Sequence, residues 1–158
     1  MIQVTVDTIR ISLRSSERAI LLKELEQERQ LPIFIHATEA EAIAAELEGY
    51  RPPRPLTHDL LNNCVSSLGG ELQYIVVNDL RDNIFYAVLH IMQGERTIDI
   101  DARPSDSIAL AVRARVPIYV AEEVMDAAGV YPSVEIEEEQ EDLSIFRDFV
   151  ETLDLGEE

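Results

Sequence analysis

Three strand-like runs follow one another with no helix between them: Glu71 to Asn78, Ile84 to Met92 and Arg96 to Asp101, joined by DLRDN and QGER. Joints this short connect antiparallel neighbours, because a parallel return needs a crossover of about a dozen residues. The chain is thereby committed to a sheet. The middle run contains IFYAVLHI, apolar at successive positions, which predicts a strand at the sheet centre with both faces covered.

The flanking segments predict what surrounds that meander. From Ile2 the apolar residues fall at 2, 4 and 6 and then at 9, 11 and 13, so one long strand changes faces near Asp7 and Thr8 through a bend or bulge. Strands over Arg18 to Leu25 and Leu31 to His36 follow. Thr38 to Leu47 reads as a helix capped by Thr38, with Glu41 three residues on. After YRPPRP, which cannot be helix interior, Leu60, Leu61, Cys64, Val65 and Leu68 mark the apolar face of a helix over about Thr57 to Leu68. Pro104 opens a third helix, Ser105 to Arg115; VPIYV is a short strand, and Ala121 to Ala128 a last short helix. Strands first, then helices alternating with strands, predict an α+β fold: a single domain over 1–132 with a mixed, largely antiparallel sheet packed by helices. Residues 133–158 read as an acidic linker and an amphipathic C-terminal helix carrying Leu143, Phe146, Phe149, Val150 and Leu153.

Composition narrows the function. The chain of 158 residues carries a formal charge of −18, and Glu135 to Glu158 holds 11 acids against one base. A protein this acidic has no general electrostatic grip on nucleic acid, so any such contact is weak and local. No apolar run approaches the roughly 18 residues of a membrane span, and MIQVTVDTIRISL lacks the pattern of a signal peptide. These features predict a soluble cytoplasmic protein with no membrane partner. Cys64, the single cysteine, excludes an internal disulfide and is expected to be a buried thiol.

Two clusters hold the groups able to do chemistry, RPPRPLTHDLL from Arg51 and DARPSDSIALAVR from Asp101. Alternation along RTIDID turns Asp99 and Asp101 to one side and Ile98 and Ile100 to the core, so the two carboxylates form a possible platform for a divalent ion, to which Asp106 adds a third. The competing reading is structural: Asp106 favours a helix start, and Asp99 and Asp101 pair with arginines. His58 and Asp59 open the second helix, where His58 is placed to act as general base or, on the structural reading, is merely solvated beside a Thr57 cap. Arg54 and Arg103 each precede a proline at a helix entry, suiting a phosphate clamp or a loop-holding ion pair. No nucleophile elbow, phosphate loop, dinucleotide fingerprint or zinc pattern is present.

RPLTHDLL and DARPSDSIALAVRARVPIYV in this order, with LPIFI and an alanine-rich helix upstream, resemble the bifunctional nuclease (BFN) domain family over about residues 1 to 130. The resemblance implies a compact α+β domain and nuclease activity on DNA and RNA, attributed to plant members and inferred by similarity for most bacterial ones. Its motif residues here are Arg54, Pro55, His58, Asp59, Asp101, Arg103, Pro104, Ser105 and Asp106; Ser107 stands where relatives often have alanine, and His36 where glycine is common. Two expectations result. In the first, Asp99 or Asp101 with Asp106 holds Mg2+ or Mn2+, His58 oriented by Asp59 activates water, Arg54 and Arg103 clamp phosphate, and Ser105 belongs to the same site. In the second, the charged residues form structural ion pairs in a homo-oligomeric scaffold or regulatory binding module. The first requires the two clusters to meet.

Overall fold

The structure is a computed structural model and describes residues 1–12 and 17–132; the expected acidic linker and C-terminal helix lie outside the described residues. Seven strands, β1 (Ile2–Ile11), β2 (Arg18–Glu24), β3 (Gln30–Ile35), β4 (Gly70–Arg81), β5 (Ile84–Gln93), β6 (Arg96–Ala102) and β7 (Ile118–Val120), form one sheet in the order β3-β2-β1-β7-β4-β5-β6. Four helices accompany them: α1 (Ala37–Leu47), α2 (Thr57–Ser67), α3 (Pro104–Ala114) and α4 (Glu122–Ala128). All strand pairs are antiparallel except β4 with β7. The α+β fold with a mixed, largely antiparallel sheet is as the element order implies.

The change of parity in β1 is a register shift between Val6 and Thr8 against β2, which lets one strand turn successive apolar sets inward. The meander β4-β5-β6 forms as expected, but β5 lies one strand from the sheet edge and not at its centre. Its residues alternate, Ala87, Leu89 and Ile91 buried, Tyr86, Val88 and His90 half-buried, so only one face is sealed. The centre is taken by the three-residue β7, inserted between β1 and β4 by the return of α3. That short strand ties the N-terminal hairpin to the meander. Around it, Ile43 of α1, Ile108 and Leu110 of α3 and Met125 of α4 pack with Leu22, Leu31, Ile75, Val77 and Val120 in one core. Each fully buried branched side chain contributes about 1.5–3 kcal/mol through removal from water.

Helix starts differ in detail from expectation. α1 begins at Ala37 with His36 as its cap residue, and Thr38 lies inside the helix without a capping hydrogen bond. At α2 the cap position is Leu56, and Thr57 is already helical. There the Asp59 carboxylate reaches back to accept a hydrogen bond from the Leu56 N–H at 2.9 Å, satisfying one of the amides that a helix start leaves open. Pro104 occupies the first turn of α3 as expected, after an extended Arg103.

The orientation of α2 is the main departure. Its buried side is polar: His58 is the one buried residue of the helix, with Asp59 and Asn62 half-buried beside it. Leu60, Leu61, Cys64 and Leu68 are exposed, and Val65 alone of the expected apolar face packs against the core. The expected buried thiol is therefore an exposed one. Periodicity identifies a stripe but not the direction in which it points; here the ion pairs made by the polar side set the direction.

Among the described residues no helix is long and apolar enough to cross a membrane.

Candidate active site at a corner of three helices

The first turns of α1, α2 and α3 meet at one corner, reached by the β3-to-α1, proline-rich and β6-to-α3 connections. His58 Nε2 of α2 lies 3.0 Å from Asp106 Oδ1 of α3, joining residues 48 apart in sequence. The two clusters do meet. Arg103 Nε donates to Asp106 Oδ2 at 2.8 Å, and Arg103 Nη2 donates to Glu39 Oε1 of α1 at 2.9 Å. A continuous chain of charged and polar groups, Glu39–Arg103–Asp106–His58, thus crosses the corner.

Partial burial pushes the Asp106 carboxyl upward, but hydrogen bonds from Arg103 and His58 outweigh it and hold the group below its ordinary value of 3.8. Asp106 is therefore a carboxylate at neutral pH. A carboxylate only accepts, so His58 Nε2 carries the hydrogen that it donates, and Nδ1 is left as the second ring nitrogen with no hydrogen bond among the described residues. The Arg103 guanidinium is held firmly protonated, first by its hydrogen bond to Asp106 and then by that to Glu39.

Asp59 does not orient His58. Its Oδ1 accepts from Arg113 Nε at 2.9 Å, and the Arg113 side chain, 4% exposed, also donates to Ala109 O and to Ala42 O. Arg113 therefore binds all three helices together, with Asp59 balancing its charge. Sequence reasoning named Arg113 only as an arginine of the second cluster and missed Glu39. Glu39 sits in the first turn of α1, where an acid favours the helix dipole, so nothing local announced a second task. Its Oε2 is buried without a hydrogen-bond partner, which is costly for a carboxylate oxygen.

The remaining candidates are spread more widely. Arg54 is exposed and forms no ion pair among the described residues, so its guanidinium is open to an incoming anion. Ser105 is buried at 7% exposure in the first turn of α3, and the Ser107 hydroxyl donates to Arg103 O at 2.9 Å. Asp99 lies on edge strand β6 and its Oδ1 accepts a hydrogen bond from His90 Nδ1 of β5 at 2.7 Å; the His90 ring stacks on Tyr74 with centroids 4.5 Å apart. Asp101 is exposed on the same strand. Among the described residues no three His, Cys, Asp or Glu side chains are grouped to hold a metal ion. Asp99, Asp101 and Asp106 thus do not form a ready three-carboxylate cage, because Asp106 is turned to His58 and Arg103 while Asp99 is turned to His90.

The fold and corner together define a class: a small α+β domain whose motif histidine and motif aspartate, far apart in sequence, close into one hydrogen-bonded pair. The Bifunctional nuclease domain profile matches residues 20–133, and the chain belongs to that family. It is 40% identical over 157 residues to an uncharacterized protein of Mycobacterium tuberculosis (strain H37Rv), covering 96% of this chain and 94% of that one. It is 28% identical to Bifunctional nuclease 1 of Oryza sativa subsp. japonica over 116 residues, which cover 71% of this chain and 35% of the rice protein. Bifunctional nuclease 2 of Arabidopsis thaliana is 28% identical over 93 residues, 57% of this chain and 28% of that protein.

Proposed function

We propose that this protein is a nuclease that hydrolyses phosphodiester bonds in DNA and RNA, with His58 as general base. The observation that carries the reading is the 3.0 Å pair between His58 Nε2 and Asp106 Oδ1, which fixes the ring and leaves Nδ1 to take a proton. Water attacks phosphorus as its proton passes to Nδ1; a new P–O bond forms, the ester P–O bond breaks, and the leaving oxygen is protonated from solvent. Arg54 supplies a free cation for the phosphate. Arg103 contributes less to that clamp than its position in the motif implies, since two of its nitrogens are already held by carboxylates.

A divalent ion, Mg2+ or Mn2+, would add charge neutralisation and a more acidic bound water. The carboxylates of this face do not form a closed set for it, so at most one or two of them would serve, with water and substrate phosphate completing the shell. The net charge of −18 makes contact with nucleic acid local and salt-sensitive.

A non-catalytic scaffold or binding module is favoured by one observation: the buried Arg113 guanidinium has its charge balanced by the half-buried Asp59, as structural charges do. The two readings separate in an assay of labelled single- and double-stranded DNA and RNA at low salt, with Mg2+, Mn2+ or a chelator. Cleavage by the wild type that is lost in folded His58→Ala supports the nuclease; absence of cleavage under every condition supports the scaffold.

A further inference from the structure

The outward stripe of α2 is unusual for a helix otherwise bound to its domain by charges. Leu56, Leu60, Cys64 and Leu68 recur every fourth residue along one ridge inclined to the helix axis, 39%, 56% and 75% exposed at the three leucines, with Leu61 at 39% beside them. Four-residue spacing places these side chains above one another on one helix face. Exposed apolar stripes of this kind mark a surface that is covered by something.

We infer that residues 143–153 of the same molecule cover it. Leu143, Phe146, Phe149, Val150 and Leu153 recur at helical spacing, so a helix over them would present a stripe about 15 Å long, against about 18 Å from Leu56 to Leu68. The lengths match. Charge matches as well: LLNNCVSSL, residues 60–68, bears no ionisable side chain but the thiol, so an acidic segment meets no repulsion from that part of α2. Just before α2 lie Arg54, exposed and without an ion pair among the described residues, and Arg51, whose side chain is 66% exposed and reaches Glu46 at only 3.3 Å. The run EIEEEQED, residues 135–142, which leads into the segment, carries the opposite charge.

Connectivity permits the docking. Val130 leaves the described fold paired with Gln30 of β3, whereas α2 lies against β4, where Gly70 approaches Val65. Four strand spacings separate β3 from β4, about 19 Å. Residues 131–142 span up to about 40 Å when extended. A second copy of the chain is the less suitable occupant, because a stable dimer needs roughly 20–30 residues a side and this stripe offers five.

Cys64 reports the outcome, since it sits in the stripe and is the only cysteine. In the full chain at low micromolar concentration, its rate of reaction with a small disulfide reagent is expected to be at least about tenfold below that of the Phe146→Ser/Phe149→Ser variant, with unchanged far-ultraviolet circular dichroism below 220 nm setting aside loss of the domain. A Val150→Cys variant is expected to form a disulfide with Cys64 within one chain. Equal labelling rates in wild type and double variant overturn the proposal. Protection that depends on protein concentration and ignores the phenylalanine substitutions, or a disulfide found only between chains, also overturns it and assigns the stripe to a second copy.

Discussion

His58 and Asp106 are 48 residues apart in sequence and 3.0 Å apart at the corner of α2 and α3. The contact makes one ring nitrogen of His58 the donor and leaves the other without a hydrogen bond among the described residues. Under the proposed mechanism Asp106 acts as a positioning carboxylate, beside the metal-ligand role that the sequence suggests for it.

Replacing that carboxylate tests the role directly. Asp106→Asn keeps the size of the side chain but can donate to Nε2, which favours the tautomer with hydrogen on Nδ1. Cleavage by a folded Asp106→Asn protein is expected to fall by about 10²–10⁴ in kcat with a smaller change in KM. A kcat within twofold of wild type, by initial-rate measurement on a labelled oligonucleotide, would remove Asp106 from the mechanism.

Acid stability follows from the same group. Because the folded carboxyl is held below its ordinary 3.8, its ionised form stabilises the native state. That contribution is full above about 3.8 and is lost as pH falls through the lower folded value. Thermal melts of wild type and Asp106→Asn are expected to show a gap in Tm at neutral pH that narrows as pH drops below about 4. A constant gap would assign the difference to packing.

Arg113 joins three helices through Asp59, Ala109 O and Ala42 O with only 4% of its side chain exposed. Arg113→Met leaves the half-buried Asp59 without its cation and Ala42 O without its donor. The expected loss is about 2–4 kcal/mol of unfolding free energy, read from urea denaturation. Arg113→Lys should recover little of it, since one ammonium cannot span the sites reached by Nε, Nη1 and Nη2.

Arg54 is expected to act on binding rather than on fold. Removing an exposed phosphate-facing cation weakens nucleic-acid affinity evenly across sequences, and Arg54→Ala should lower the slope of log affinity against log salt by about 1. Fluorescence anisotropy across a salt series measures it. An unchanged slope would place the phosphate elsewhere.

Much of the fold was legible in the chain because its signals are local. The antiparallel meander, the parity change near Asp7, Pro104 at the start of α3 and the order of strands and helices depend on neighbouring residues and appear as expected, with the joints of the meander shorter than DLRDN and QGER. The motif histidine, aspartates and arginines could likewise be picked out by type and position. Their connections could not, since Asp59 was expected at His58 and is instead held by Arg113, and Glu39 gave no signal beyond favouring a helix start.

Sequence alone determined an α+β chain with two charged helix entries and an apolar stripe over Leu60, Cys64 and Leu68. Tertiary structure decided that β7 takes the sheet centre, that His58 faces Asp106, and that the leucines of α2 face outward. The physical reason is that helical spacing fixes only which side chains share a face. Which face turns inward depends on partners that arrive from elsewhere in the chain, and at α2 those partners are Asp106 and Arg113 of α3, which hold His58 and Asp59 against the domain.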